Sequence, residues 1–224
     1  LIAMTLGLKL KWIKSEIKDK KNLIIFFLIS LLISILIVRN FDTNFLIYTV
    51  LISSAFFLFF VTVRDFFVKK FSSFSQNISH FGFSLLILSI LFNNFLTNET
   101  IINLKLGQTH VAEKFIIKFE DVNQSSQKNY ESVVGKFSVK NNDGKTDILY
   151  PELRIYNQPN IVTSEAYIKT NFFLDKFMTM NYVQNEEYFN IRYQTKPLML
   201  WIWISVILIS LGGLTSLFKK KYES

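Results

Sequence analysis

The chain has two histidines, His80 and His110, and no cysteine. It therefore has no disulfide, no thiolate metal site and no thiol nucleophile. His80 stands in SQNISHFGFSLLILSILFNNFL (75–96), about one turn inside an apolar run that could enter a membrane. An ionisable group at that depth is costly, and such groups face a bundle interior or a cavity. Imidazole is a common axial ligand to haem iron. Gly82 and Ser84 beside it would let a flat ligand approach the helix. The alternative is an interfacial histidine hydrogen-bonded to a neighbouring helix, and a single histidine has no spacing that separates the two. His110, in GQTHVAEK, follows a turn-like Gly107 with no second His or Cys near it. It reads as a surface residue rather than a metal ligand. Glu152, Glu165, Asp175, Glu186 and Glu187 are scattered. They assemble no Ser/His/Asp order and no paired catalytic carboxylates, and no Gly-rich phosphate loop occurs.

The elements that must position His80 are written in the hydropathy. Half of the 224 residues are hydrophobic and 19% are charged, with mean hydropathy +0.29. That balance predicts several membrane spans plus a polar domain. Four apolar segments fit spans, at 23–39 (apolar through Val38), 45–63, 78–96 and 197–218. The opening LIAMTLGL is too short to span and reads as the end of an earlier span within 1–22. The net charge of +8 comes from lysines beside apolar runs, at Lys9–Lys21, at Arg64, Lys69 and Lys70 in the 64–77 loop, and at Lys219–Lys221 in the 219–224 tail. Such placement is a topology signal and not a nucleic-acid footprint. It predicts the basic stretches on the cytoplasmic or matrix side and 97–196 on the other. KLKWIKSEIKDKK, with Trp12, Ile13 and Ile17, fits either an amphipathic helix in the plane of the membrane or a solvated basic loop. Trp201 and Trp203 fit an aromatic belt. Gly212 and Ser216 form a small-xxx-small pair suited to close helix packing.

Between the third and fourth spans the pattern changes period. KFIIKFEDV (114–122) alternates apolar and charged residues, as a half-buried strand does. SVVGKFSVK, DILYPELRIY and EYFNIRYQ continue in that style, and NNDGK (141–145) is a turn. Residues 167–180 are ambiguous. Pro197 is placed to open the last helix, where a missing N–H costs nothing. The fold class expected is a membrane protein with about four complete helical spans and a small, mainly antiparallel β domain, barrel-like or sandwich-like, outside the membrane. The abundance of Phe, 24 residues, matches AT-rich codon usage and is weak ground for an aromatic binding site.

Several stretches, in order, resemble the cytochrome c maturation haem lyase family, CcmF. SHFGFSLLILSI (79–90) resembles its "AHLG" span. LGQTHVAEKFIIKFEDV (106–122) resembles its "LGGYxFxF" region, with AEKFIIKF in place of the expected glycines. YPELRIYNQPNIVTSEAYI (150–168) resembles "PEKRxY…TEAxI", and RYQTKPLMLWIWISVILISLGGLTSL (192–217) resembles "KPxxxWIWxGxxxMxLGG". The resemblance implies the carboxy-terminal portion of a lyase that attaches haem to apocytochrome c. It implies haem b held by two transmembrane histidines, His80 matching the second. The implied partners are the amino-terminal part of the lyase, a haem chaperone, apocytochrome c, other maturation subunits and membrane lipids. The implied location is a bacterial inner membrane, with the mitochondrial inner membrane second. The family's tryptophan-rich segment and first haem b ligand do not occur in this sequence. The competing expectation is a non-catalytic, membrane-anchored module whose β domain recruits partners.

Overall fold

The structure is a computed structural model that describes residues 1–7, 20–41, 44–68, 74–183 and 186–220. Trp12, Ile13 and Ile17 of the expected amphipathic segment lie outside the described residues, as do Lys69, Lys70 and Lys221. The chain divides into a helical unit (1–95 and 198–224) and a β unit, Leu96–Pro197.

The helical unit contains α1 (Ile2–Gly7), α2 (Lys20–Val38), α3 (Phe45–Val68), α4 (Phe74–Leu96) and α5 (Met199–Lys220). The last four are long and apolar enough to cross a membrane. α3 and α4 run several residues past the apolar segments. Backbone hydrogen bonding does not stop where hydropathy does, and polar residues are tolerated at helix ends. α2 and α3 pack through Leu23, Phe26 and Phe27 against Phe57, Phe60 and Val61, and small residues are buried on both helices. Ser30 and Ser34 are fully buried on α2, as are Ser53, Ser54 and Ala55 on α3, while Leu28, Leu32 and Leu36 of α2 are exposed. Each buried hydroxyl donates to a carbonyl three or four residues back in its own helix, such as Ser30 Oγ to Phe26 O at 2.7 Å. With no partner needed from outside, such helices approach closely in lipid.

α3 and α4 meet ring against ring. Tyr48 contacts Phe95, Phe56 contacts Phe92, and Phe66 contacts both Phe81 and Phe74, at centroid separations of 5.0–6.3 Å. The abundant phenylalanines thus serve helix packing.

The β unit is a sandwich. One sheet has the order β1 (Asn98–Leu104), β10 (Phe189–Pro197), β9 (Leu174–Tyr182), β8 (Tyr167–Lys169). The other has β2 (Thr109–Val111), β3 (Phe115–Ser126), β4 (Tyr130–Asn141), β6 (Glu152–Asn157) and β7 (Asn160–Glu165), with β5 (Thr146–Leu149) also on β4. Every pairing is antiparallel. Alternation along β3 sends Phe115, Ile117 and Phe119 inward and Ile116, Lys118 and Glu120 outward. Those three join Phe137, Val139, Leu149 and Leu153 from the same sheet, and Met178, Met180, Ile191 and Tyr193 from the other, in one core. Phe119 and Phe137 stack at 4.3 Å. The 141–145 turn closes through Gly144, whose φ of +80° suits a residue without Cβ. The β2–β3 turn forms without the glycines of the family pattern, the Ala112 N–H donating to Phe115 O at 2.9 Å.

The ambiguous segment resolves into β8, a loop and β9. Pro197 does not open α5. It ends β10 opposite Leu174, Leu198 follows at φ +60°, and the helix begins at Met199. A proline at a strand end removes no interior ladder bond, so the site suits it equally well.

Candidate functional site

His80 is the seventh residue of α4, and the helix that carries it is held against α5 by its small residues. Ser75 Oγ donates to Gly212 O at 2.5 Å, and Ser79 Oγ donates to Ile209 O at 3.5 Å. A Cβ on Gly212 would lie 2.8 Å from Ser75 O and Ser79 N, so only glycine permits this approach. A Cβ on Gly82 would meet Ser205 O, Leu208 and Ile209 at 3.0 Å. Gly82 therefore makes room for α5 and not for a flat ligand, and Ser84 is fully buried with its hydroxyl on Phe81 O at 2.8 Å. The neighbour expected for Gly212 and Ser216 is α4 of this same chain.

Beside this seam lies a cavity of about 420 Å³ lined by Gln76, Ser79, His80, Gly212, Gly213 and Ser216, among others. That volume is within the range of small-ligand sites. His80 is half-buried, and its Nδ1 is buried with no hydrogen-bond partner. A buried ring nitrogen without a partner is unusual and marks the residue for a role beyond packing. No group of three or more His, Cys, Asp or Glu is gathered among the described residues. His110 is in β2, in the other unit, opposite Ile117.

Sequence reasoning passed over one polar cluster, inside the sandwich. Asp147 on β5 accepts from Lys169 Nζ at 2.6 Å and from Lys176 Nζ at 2.5 Å, joining β5 to β8 and β9. Lys176 also donates to Asn141 Oδ1 at 3.0 Å. Burial pushes the Asp147 carboxyl up, but the two lysine hydrogen bonds outweigh it and hold the group below the usual aspartate range. The signal was present in LDKFMTM, where Lys176 shares the inward register of Met178 and Met180. Of the acidic candidates, Glu152 is engaged structurally: it accepts from Ser132 Oγ at 2.6 Å and pairs with Arg154 at 2.9 Å.

Comparison with known proteins agrees with this architecture. Residues 95–197 match the family described as the CcmF C-terminal beta-sandwich. The chain is similar to the cytochrome c-type biogenesis protein CcmF of Escherichia coli (strain K12), at 24% identity, over 99% of this chain and 36% of that protein. It is 26% identical to CcmF of Haemophilus influenzae, over 74% of this chain and 25% of that protein. The chain thus spans about a quarter to a third of the length of these relatives. A solved structure titled Cytochrome c Heme Lyase CcmF superposes with a TM-score of 0.70 over 94% of this chain and 37% of that one, at 18% identity, a likeness of fold. Residues 95–197 thus match the C-terminal beta-sandwich of CcmF, and the chain as a whole is similar to the carboxy-terminal portion of CcmF proteins.

Proposed function

We propose that the chain forms the carboxy-terminal part of a cytochrome c haem lyase and that His80 is an axial ligand to a haem b. The observation that carries the ligand role is the place of the His80 ring, in a helix apolar enough to cross a membrane and lining a cavity with Gly213. A neutral imidazole coordinates through one nitrogen and keeps a proton on the other. With Nδ1 turned into the protein, Nε2 is the nitrogen left for iron. Bound there, haem b would supply reversible one-electron chemistry. This chain's residues would hold one side of it: His80 as the donor, and Gly213, which has open space where a side chain would be, as the bulk-free wall. The second axial ligand would come from the amino-terminal part of the lyase, since no other described histidine lies in the helices.

In this reading the basic stretches face the cytoplasm and the sandwich faces the periplasm, toward apocytochrome c, a haem chaperone and other maturation subunits. The membrane is the bacterial inner membrane, with the mitochondrial inner membrane as second choice. The test is to co-express the chain with its amino-terminal complement and record reduced-minus-oxidised spectra of the purified complex. His80→Ala is expected to abolish or strongly reduce the b-type signal and the haem content. An unchanged signal at unchanged haem content rejects the ligand role.

A second reading is a membrane-anchored interaction module without chemistry of its own, motivated by the scatter of the acidic candidates and of the two histidines along the sequence. Translating the DNA upstream discriminates. A tryptophan-rich segment flanked by histidines, in frame or in a neighbouring gene, counts against that module.

A further inference from the structure

The sandwich contains a second cavity, of about 460 Å³, that the His80 reading does not use. Lys176 lines it, at 4% exposure. An ammonium has three N–H donors. Asp147 and Asn141 engage two of them at 2.5 and 3.0 Å. Tyr193, 2% exposed, lines the same cavity, and its hydroxyl is buried with no hydrogen-bond partner. Native structures leave few buried polar atoms unpaired, and one that lines a cavity points to a ligand. Burial pushes the phenol well above its ordinary range, so the hydroxyl stays protonated and serves as a donor.

The charges point the same way. Lys114 is also in the lining, and the single acidic lining residue, Asp143, already accepts from the Lys145 N–H at 3.1 Å. In the lining, Lys114 and Lys176 stand against Asp143, a surplus of one positive charge among the lining residues. The polar end thus offers donors to an anion. The remaining wall is mostly apolar, with Leu96, Phe115, Leu174 and Pro197 beside Asn98 and Thr195, so the anion is carried on a largely apolar body.

The position of the mouth narrows the occupant. Leu96 is the last residue of α4, Pro197 stands two residues before α5, and Leu174 lies directly opposite Pro197. This is the end of the sandwich at which the chain enters and leaves. The adjoining β8–β9 loop presents Phe172 and Phe173, 53% and 64% exposed, edge to face at 4.8 Å. Aromatic rings with flanking lysines are the side chains that settle at a bilayer interface, and acidic lipids add attraction for the lysines.

We propose that this cavity is a binding site for an acidic phospholipid. Its phosphate is received by Lys114, Lys176 and the Tyr193 hydroxyl, and its apolar part runs along Leu96, Leu174 and Pro197. The Phe172–Phe173 pair sits in the headgroup layer. The assignment does not rest on His80.

The test uses the full chain in phosphatidylcholine vesicles doped with phosphatidylglycerol that carries a diazirine near the headgroup end of an acyl chain. Crosslinked peptides are mapped by mass spectrometry, with labelling of the apolar helices as the internal control. Labelling of peptides containing Leu174 or Pro197 is expected to exceed that from diazirine phosphatidylcholine by about tenfold, the worth of a charge-assisted hydrogen bond. The double variant Tyr193→Phe, Lys114→Gln spares the buried Lys176–Asp147 pair, so the sandwich stays folded by circular dichroism. It is expected to lower that labelling by about fivefold to tenfold. His80→Ala is expected to leave it unchanged, which separates this proposal from the haem reading. Equal labelling by the two lipids, or labelling indifferent to the double variant, overturns the site. Protection by stoichiometric iron protoporphyrin IX but not by unlabelled phosphatidylglycerol also overturns it, and reassigns the donors to porphyrin carboxylates.

Discussion

The two units of this chain are packed by opposite rules. In the sandwich the large residues are inside: Phe119, Phe137, Met178, Met180 and Ile191 are fully buried, and charge is mostly outside, the Lys176–Asp147 pair excepted. In the helices small and hydroxyl residues, Ser30, Ser34, Ala55, Ser84 and Ser205, are inside beside Ile52, Leu58 and Val61, while Ile24, Leu28, Leu32 and Leu36 are outside. Half of the apolar window of α3 is buried within the chain, against 22% for α2, 22% for α4 and 11% for α5. The difference is one of solvent. Water drives large apolar surface inward. Lipid is as apolar as leucine, so helices gain by backbone proximity and satisfied hydroxyls instead.

The comparison yields expected outcomes that would break it. Phe119→Ala or Phe137→Ala removes a ring from a filled core and is expected to cost about 3–5 kcal/mol, read as a lowered unfolding temperature by circular dichroism in detergent. Leu32→Ala, at 61% exposure on α2, is expected to change stability by less than about 0.5 kcal/mol. A large effect at Leu32 would mean that this face packs against protein rather than lipid.

Asp147→Asn is expected to cost about 3 kcal/mol by leaving the buried Lys176 short of its counter-charge. The effect has a pH signature. The folded Asp147 pKa is depressed, so on acidification the unfolded chain takes the proton first. Its stabilisation is complete above the ordinary aspartate value of about 3.9 and drains away as pH falls through the folded value. The gap between the parent protein and Asp147→Asn should therefore narrow in acid, and a gap constant with pH would deny the ion pair its role.

Gly212→Val is expected to cost about 1–3 kcal/mol by forcing α4 from α5. The chain has no native cysteine, so a Ser79→Cys, Ile209→Cys pair reports directly on that seam. Disulfide yield should fall several-fold in the valine background while the β-sheet signal stays unchanged. The smallest effect is expected at the surface. Glu99, whose carboxylate Arg192 and Gln194 hold low by hydrogen bonding, pairs in full solvent, and Glu99→Gln should leave the melting temperature where it was.

Period and hydropathy made most of this architecture legible. A run such as Phe45–Val63 has no reading other than a buried or lipid-facing helix, and KFIIKFEDV shows which of its residues face in. What stayed hidden depends on partners distant in sequence. The 167–180 stretch carries strand residues broken by Asn171–Phe173, where the chain folds back as the β8–β9 hairpin, and β9 pairs on its other side with β10. Gly82 read as room for a ligand because no local signal says that α5 occupies that room. Lys176 was passed over because an inward lysine makes sense only once Asp147, 29 residues earlier, is seen beside it. His80 was found as a candidate from sequence alone. The buried, unpaired state of its Nδ1 was not, since that depends on what the fold leaves out.

The ends of the sandwich have a practical consequence. β1 and β10 are adjacent, with Asn98 opposite Thr195, so the strands that begin and end the domain lie about 5 Å apart. A segment whose ends meet behaves as an insertion in a hairpin of α4 and α5. It is a cassette that could be lifted out and replaced by a short turn, or moved whole onto another pair of neighbouring antiparallel segments, without re-routing the rest of the chain.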